Sequence, residues 1–197
     1  MSLIVDVDGA LLKTMTRDLL KLKGKIVVTA ARQAINGTVK STNTFASEQI
    51  RLVRKMKKSD LRRFMLLQKA RGSTLSHLKG SIGFSSRRVS MLNFIQGSRK
   101  APRPQGKVKR RVPLTYEITP GKKGKLRHAF IAKGRNGVNQ VFQRKGKNRH
   151  PLARRALPSI ARLVEAFELR NKIERFAQKK LVSEFAEKLK FNLQKLK

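Results

Sequence analysis

The chain has no cysteine, no tryptophan and a single tyrosine, and it sets only 11 aspartates and glutamates against 48 lysines and arginines. Each scarcity excludes something. Without cysteine there is no disulfide, no thiolate zinc site and no cysteine nucleophile. Without tryptophan, and with Tyr116 alone, a stacking platform of the single-strand-binding kind is not expected. A two-metal nuclease needs clustered carboxylates, and Glu117 is the one acid between Leu61 and Val164. No apolar run approaches the roughly 20 residues of a membrane span. The opening MSLIVDVDGALLK carries Asp6 and Asp8 and no basic segment, so it does not read as a secretory signal. His77, His128 and His150 are isolated from one another and from paired carboxylates, which suits surface or half-buried histidines. Gly121-Lys122-Lys123-Gly124-Lys125 lacks the spacing and the hydroxyl of a phosphate loop, and no G-x-S-x-G elbow occurs. The expectation is a protein without catalysis, metal or cofactor.

What is present is positive charge. The formal net charge is +37 over 197 residues. Hydrophobic residues make up 39%, arranged in periodic runs, so a modest core is expected rather than disorder. The span Leu61–Val164 holds 27 lysines and arginines beside its lone glutamate. They concentrate at Arg99–Arg103, Lys107–Arg111, Lys122–Arg127 and Arg144–Arg155. One such cluster is an ordinary solubilising loop. Four together, almost without acids, call for a polyanionic partner: nucleic acid, anionic lipid or an acidic protein surface.

The chain is organised around residues 126–158. Two apolar runs, Ala129–Ala132 and Val138–Phe142, flank Lys133-Gly134-Arg135-Asn136-Gly137 and predict a β-hairpin. A basic loop follows over Arg144–His150, and Pro151 and Pro158 lead into helical sequence. Ahead of this, Leu3–Val7 reads as an edge strand or an arm. Leu11, Leu12, Met15, Leu19 and Leu22 predict a helix over 10–22 with Asp8 as its cap, interrupted by Gly24. A second helix is expected over 25–57, with a kink or break between Gly37 and Thr44. Ser59-Asp60 predicts the start of a helix over 60–70, closed by Gly72. Strands are expected at 79–84, 88–94, 107–118, 126–132 and 138–143, with an exposed loop over 96–106 and a turn over 120–124. Along 107–118 one parity is mostly basic, and Pro113 marks an edge or bulge. From Leu157 to Leu196 the pattern is helical, with Ile160, Leu163, Val164 and Phe167 on one face and i,i+4 pairs such as Glu184–Lys188 on the other.

The Ala-Phe-Ile-Ala strand at 129–132, the glycine turn, Val-Phe-x-Arg at 141–144, Arg-x-Pro-Leu at 149–152 and Pro-Ser-Ile at 158–160 carry a resemblance. The pattern resembles the tail-completion proteins of long-tailed bacteriophages, in particular the minor tail protein Z family of lambda-like phages. It covers about residues 59–166. It departs from the family at His150, where an apolar residue would precede Pro151. The fold class expected is α+β: a small antiparallel sheet of about four strands flanked by helices, with long N-terminal helices and an extended C-terminal helix. The organisation expected is an N-terminal helical region over 1–58, a basic α+β core over 59–166 and an amphipathic helix over 167–197, as one domain with helical extensions.

The resemblance implies a structural virion protein that completes the tail at its head-proximal end. It implies a homo-oligomeric ring, a hexamer, between the tail terminator and tail tube on one side and the head–tail connector on the other. It also implies contact with the end of the genomic double-stranded DNA, and no membrane. The virion, and the host cytoplasm during assembly, are the implied locations. Phosphate contacts by lysine and arginine hold DNA without reading sequence, and the candidates are Arg99, Lys100, Arg103, Lys107, Lys109, Arg110, Arg111, Arg144, Lys145, Lys147 and Arg149. Composition alone suits a second reading, a cellular RNA- or DNA-binding protein of ribosomal or nucleoid type. The large helical share and the match across 129–160 weigh against it. A membrane-surface role for the C-terminal helix is weaker still, because acids are mixed into its polar face.

Overall fold

The computed structural model describes residues 3–8, 17–99, 113–146, 148 and 150–195, with side chains at 3–5 and from 24 onward. Its spine is a single helix, α1, over Arg17–Val53. The residues proposed to begin an earlier helix, up to 16, lie outside the described residues, while Asp8 sits in a strand rather than at a cap. Gly24 does not interrupt α1, and the Gly37–Thr44 stretch does not break it. A glycine costs a helix about 1 kcal/mol relative to alanine. Here the fully buried stripe of Val27, Ala30, Ala31, Ala34, Ile35 and Val39 outweighs that cost. Gly37 also has a packing reason. A Cβ there would lie 2.9 Å from the Glu184 carboxylate, because the C-terminal helix crosses closely at that point.

After α1 comes a short helix, α2, over Lys58–Arg62, then β2 over Met65–Gln68. The helix expected over 60–70 is therefore wrong beyond its first turn. Leu61, Phe64, Met65 and Leu67 fit a helical stripe, but Met65 and Leu67 also share one parity of a strand. Pairing decides the outcome: Met65 registers with Phe84 and Leu67 with Ile82. Ser59 does not cap the helix either. The cap position is Lys57, which makes no side-chain bond.

The ten strands found among the described residues form four small antiparallel sheets rather than one. In the first, β1 (Leu3–Asp8) and β2 flank β3 (Lys79–Phe84), so the N-terminal run is an edge strand. Its inner face, with Val5, Ile82 and Phe84, rests on α1. Contact is closest at Gly80, where an added Cβ would lie 2.7 Å from Val39 Cγ2 and 2.8 Å from Ile35 Cγ2. The expected strand over 88–94 is shorter. Arg88–Ser90 forms β4, and Met91–Phe94 turns into a 3-10 helix capped by the Ser90 hydroxyl.

A second group of strands carries most of the described central cations. β5 (Leu114–Thr119) pairs with β6 (Lys122–Leu126), so the expected turn over 120–124 is only its first two residues. The 107–112 half of the strand expected there lies outside the described residues. β7 (Ala129–Lys133) and β8 (Asn139–Arg144) form the hairpin expected from the sequence, and β9 (Leu152–Arg154) adds to it. β10 (Ala156–Ser159) then pairs with β4, where helix had been expected from Leu157.

Helix begins at Ile160. The Ser159 hydroxyl accepts from the Arg162 N–H and starts α3, over Ile160–Ala166. Phe167 and Glu168 break the helix, Glu168 at φ 52°, and α4 runs over Leu169–Gln194. Phe167, at the break, is 43% exposed and lines an apolar hollow with Leu163 and Ala166. Ile173, Ala177, Leu181 and Phe185 are buried against α1, and Phe176 stacks on Phe45 at 4.2 Å between ring centroids. Glu184 pairs backwards with Lys180 at 3.2 Å rather than with Lys188. No helix among the described residues is long and apolar enough to cross a membrane.

Candidate nucleic-acid and partner interface

The cations of the central region are held on short, stiff hairpins. In the β7–β8 turn, the Gly134 N–H donates to the Val138 carbonyl at 2.9 Å and the Gly137 N–H to the Gly134 carbonyl at 3.0 Å. That closed turn presents Lys133 and Arg135, both exposed. In β5–β6, Tyr116 lies directly over Gly124, leaving Lys122, Lys123 and Lys125 on the exposed outside of the ribbon. Behind both hairpins lies a small apolar cluster of Met91, Ile95, Ala129, Ile131 and Val141.

The sequence-chosen residues divide three ways. Lys100, Arg103, Lys107, Lys109, Arg110, Arg111, Lys147 and Arg149 lie outside the described residues. Lys145 is exposed, in a loop clasped by its own N–H donating to the Pro151 carbonyl at 3.2 Å. Arg144, one residue earlier, is half-buried at the end of β8, opposite Leu152, and its Nε has no partner among the described residues. Arg99 is committed within the fold. Its guanidinium donates to Asp60 at 2.6 Å and to the Asn93 carbonyl at 2.9 Å. The Arg99 carbonyl in turn accepts from Asn139 Nδ2 at 3.3 Å. The first basic cluster thus starts beside the hairpin that presents Lys133 and Arg135, some 40 residues away in sequence.

The lone central acid has a structural post. Glu117 is 4% exposed and accepts from the Gly121 N–H at 2.9 Å, Lys55 Nζ at 3.1 Å and Gln96 Nε2 at 2.7 Å. The Gly121 hydrogen bond, followed by that from Lys55, holds its carboxyl below the usual glutamate value, against the opposing effect of burial. Its oxygens tie the end of α1 to the β5–β6 turn and to the loop at Gln96. The Lys55 N–H adds a bond to the Ile118 carbonyl at 2.8 Å.

Arg51, Lys55 and Lys57 were missed by the sequence reading. They line a cavity of about 320 Å³ between the end of α1 and the Asn93–Arg99 loop. The signal was visible as five cations within 51–58, but it reads there as the polar side of a helix end. Elsewhere charges are paired locally, as in Arg170–Glu174 at 2.8 Å. No group of three or more potential metal-ligating side chains occurs among the described residues.

A display of cations on rigid ribbons, with the nearby acids already bonded, can hold phosphates or acidic protein surfaces. Neither the search of curated proteins nor that of solved structures gives a match. Comparison with protein families matches residues 10–197 to the prophage minor tail protein Z (GPZ), which extends the likeness well beyond residues 59–166 on both sides. The chain therefore belongs to the minor tail protein Z family, structural components of phage tails.

Proposed function

We propose that several copies of this chain form a ring at the head-proximal end of the tail, and that the ring joins the tail terminator and tube to the head connector. Its basic loops hold the end of the genomic double-stranded DNA without reading its sequence. The observation that carries this reading is the acid-poor surface of the hairpins. Lys122, Lys123, Lys125, Lys133, Arg135 and Lys145 are exposed, while the only central acid is buried and bonded.

A ring supports this use of charge in a way a monomer does not. It gathers the cations of every copy around one channel, where a duplex supplies about one negative charge per 1.7 Å of axis. Gathered without an anion these charges repel one another, so assembly together with an anionic partner is favoured. The resemblance supplies the hexameric count.

Three measurements test the proposal. Mass photometry or native mass spectrometry of the purified chain, with and without a short duplex, should give a closed multimer. Electron microscopy of particles should place it at the head–tail junction. A monomer that co-sediments with ribosomal RNA and is absent from particles would overturn the reading. Charge reversal at Arg144, Lys145 and Lys147 together should give particles that assemble but deliver DNA poorly, and normal infectivity would remove those loops from the channel.

A further inference from the structure

We propose that the hollow at the C-terminal end of α1 is a phosphate-binding site formed by Arg51, Lys55 and Lys57. It deepens the reading of this chain as a DNA-contacting tail protein and adds a recessed site to the protruding loops.

The cavity, of about 320 Å³, has a floor of Met56, Phe94 and Ile95, each at most 6% exposed. Its rim is cationic. Arg51 and Lys57 are exposed and have no acidic partner among the described residues. Lys55 remains 60% exposed even while bonded to Glu117. The one acid in the lining, Glu117, is already bonded by three donors, and the fourth lining cation, Arg99, is bonded to Asp60. With Lys55 engaged by Glu117 and Arg99 by Asp60, Arg51 and Lys57 remain as two positive charges available to a phosphate oxyanion.

Cations commonly collect at helix C-termini, and that explanation is insufficient here. The helix end carries about half a negative charge. Arg54 already attends to it, since it points at the Val53 carbonyl and also bonds Thr119 Oγ1 at 3.2 Å. Arg51, Lys55 and Lys57 are additional. A guanidinium fork and two ammonium groups around a concave site suit a tetrahedral oxyanion, which accepts donors from several directions. The phosphate could belong to the DNA backbone or be free, and the two sources are separable.

The test uses the full chain with pyrophosphate, followed by isothermal titration, and a short fluorescent duplex, followed by anisotropy across a salt series. Arg51→Gln with Lys57→Gln removes two exposed rim charges without touching the Glu117 bonds. Lys172→Gln with Lys179→Gln removes the same charge from the exposed side of α4 as a control. The rim variant should weaken pyrophosphate at least tenfold, and the control should leave it unchanged. Arg51→Lys with Lys57→Arg should retain most of it, and circular dichroism should show all variants folded.

If the site takes a DNA phosphate, the rim variant also lowers the salt slope for duplex binding by about 0.9, the value for one phosphate contact. An unchanged slope with pyrophosphate binding lost upholds the site and assigns it to free phosphate. No pyrophosphate binding by the wild type, or equal loss in rim variant and control, overturns the proposal. So does binding of a polyglutamate peptide in place of pyrophosphate, which would mark a protein-docking pocket. Failure of the wild type to bind duplex would sink the DNA reading alone, because the pyrophosphate titration still decides the pocket.

Discussion

The helical half and the hairpin half of this molecule solve opposite problems. Where α1, α4 and the β1–β3–β2 sheet meet, the interior is continuous. Ala30, Ala31, Ala34, Ile35, Val39, Ala46 and Ile50 are all at 0% exposure, and one apolar cluster runs from Leu3 to Phe185. Where β5 to β9 meet, five residues make the separate core, and almost every outward position is lysine, arginine or a turn residue. The acids follow the same division, with Glu165, Glu168, Glu174, Glu184 and Glu187 on or beside α3 and α4 and Glu117 alone among the hairpins. The lesson is a separation of duties. The helices supply stability and hold most of the acids, which lets the hairpins carry self-repelling cations on little core.

The sharpest way to break this comparison is to damage each core in turn. Ile35→Ala should cost about 2–5 kcal/mol, the range for deleting a large aliphatic side chain from a tight core. Its effect should be global, lowering the denaturant midpoint and the amide protection of both long helices. Val141→Ala, in the smaller cluster, should cost about 0.8 kcal/mol per methyl-sized group lost. Its effect should be local, with faster hydrogen exchange in β7 to β9 and unchanged protection of α1 and α4. Equal, global losses from both would show one cooperative core.

Next in size is Gly80→Ala. The added methyl would meet Val39 and Ile35 at under 3 Å, and both of those side chains are fully buried, so neither can swing away. Overpacking of this kind costs about 1–3 kcal/mol. Chemical denaturation checks it, and an unchanged midpoint would mean that the sheet can lift off α1.

How far the sequence foretold this division depends on which signals were local. The β7–β8 hairpin was legible because Ala129–Ala132 and Val138–Phe142 are apolar β-formers around a Gly/Asn turn. α4 was legible from Ile173, Leu181 and Phe185 at helical spacing. β2 was not, because Met65 and Leu67 fit a helical stripe as well as one strand parity and only the partner strand chooses between them. β6 was not, because Lys-Lys-Gly-Lys-Leu has little strand propensity and forms one by pairing with β5. The break at Phe167 and Glu168 left no mark in the apolar spacing. For the site, the exposed cations of the hairpins could be read as clusters. The Arg51–Lys57 hollow could not, since it exists only once the Asn93–Arg99 loop folds against the end of α1.

Glu117 links the two halves, and pH tests that link. Its carboxyl is held below the ordinary glutamate value in the fold, chiefly by the Gly121 N–H and then by Lys55. A depressed folded value means that its contribution is complete above the unfolded value, near 4.3, and is lost as pH falls through the folded value. The wild type should therefore lose thermal stability on acidification below about pH 4.3 more steeply than Glu117→Gln does. The two melting curves should draw together at low pH. Parallel curves over that range would show that the carboxylate is not what joins helix end to hairpin.

The smallest effect on stability is expected where function is expected to be largest. Lys133→Gln, Arg135→Gln and Lys145→Gln replace exposed groups that hold nothing together, so each should stay within about 0.5 kcal/mol of wild type. If anything, relieving mutual repulsion should raise the midpoint slightly. The same three changes should lower the salt slope of duplex binding by about 0.9 for every phosphate contact they remove. Stability and binding would then move in opposite directions, which is the signature of charge kept for a partner at the expense of the free subunit. A fall in stability with binding intact would reverse the assignment, and make the hairpin cations part of the fold.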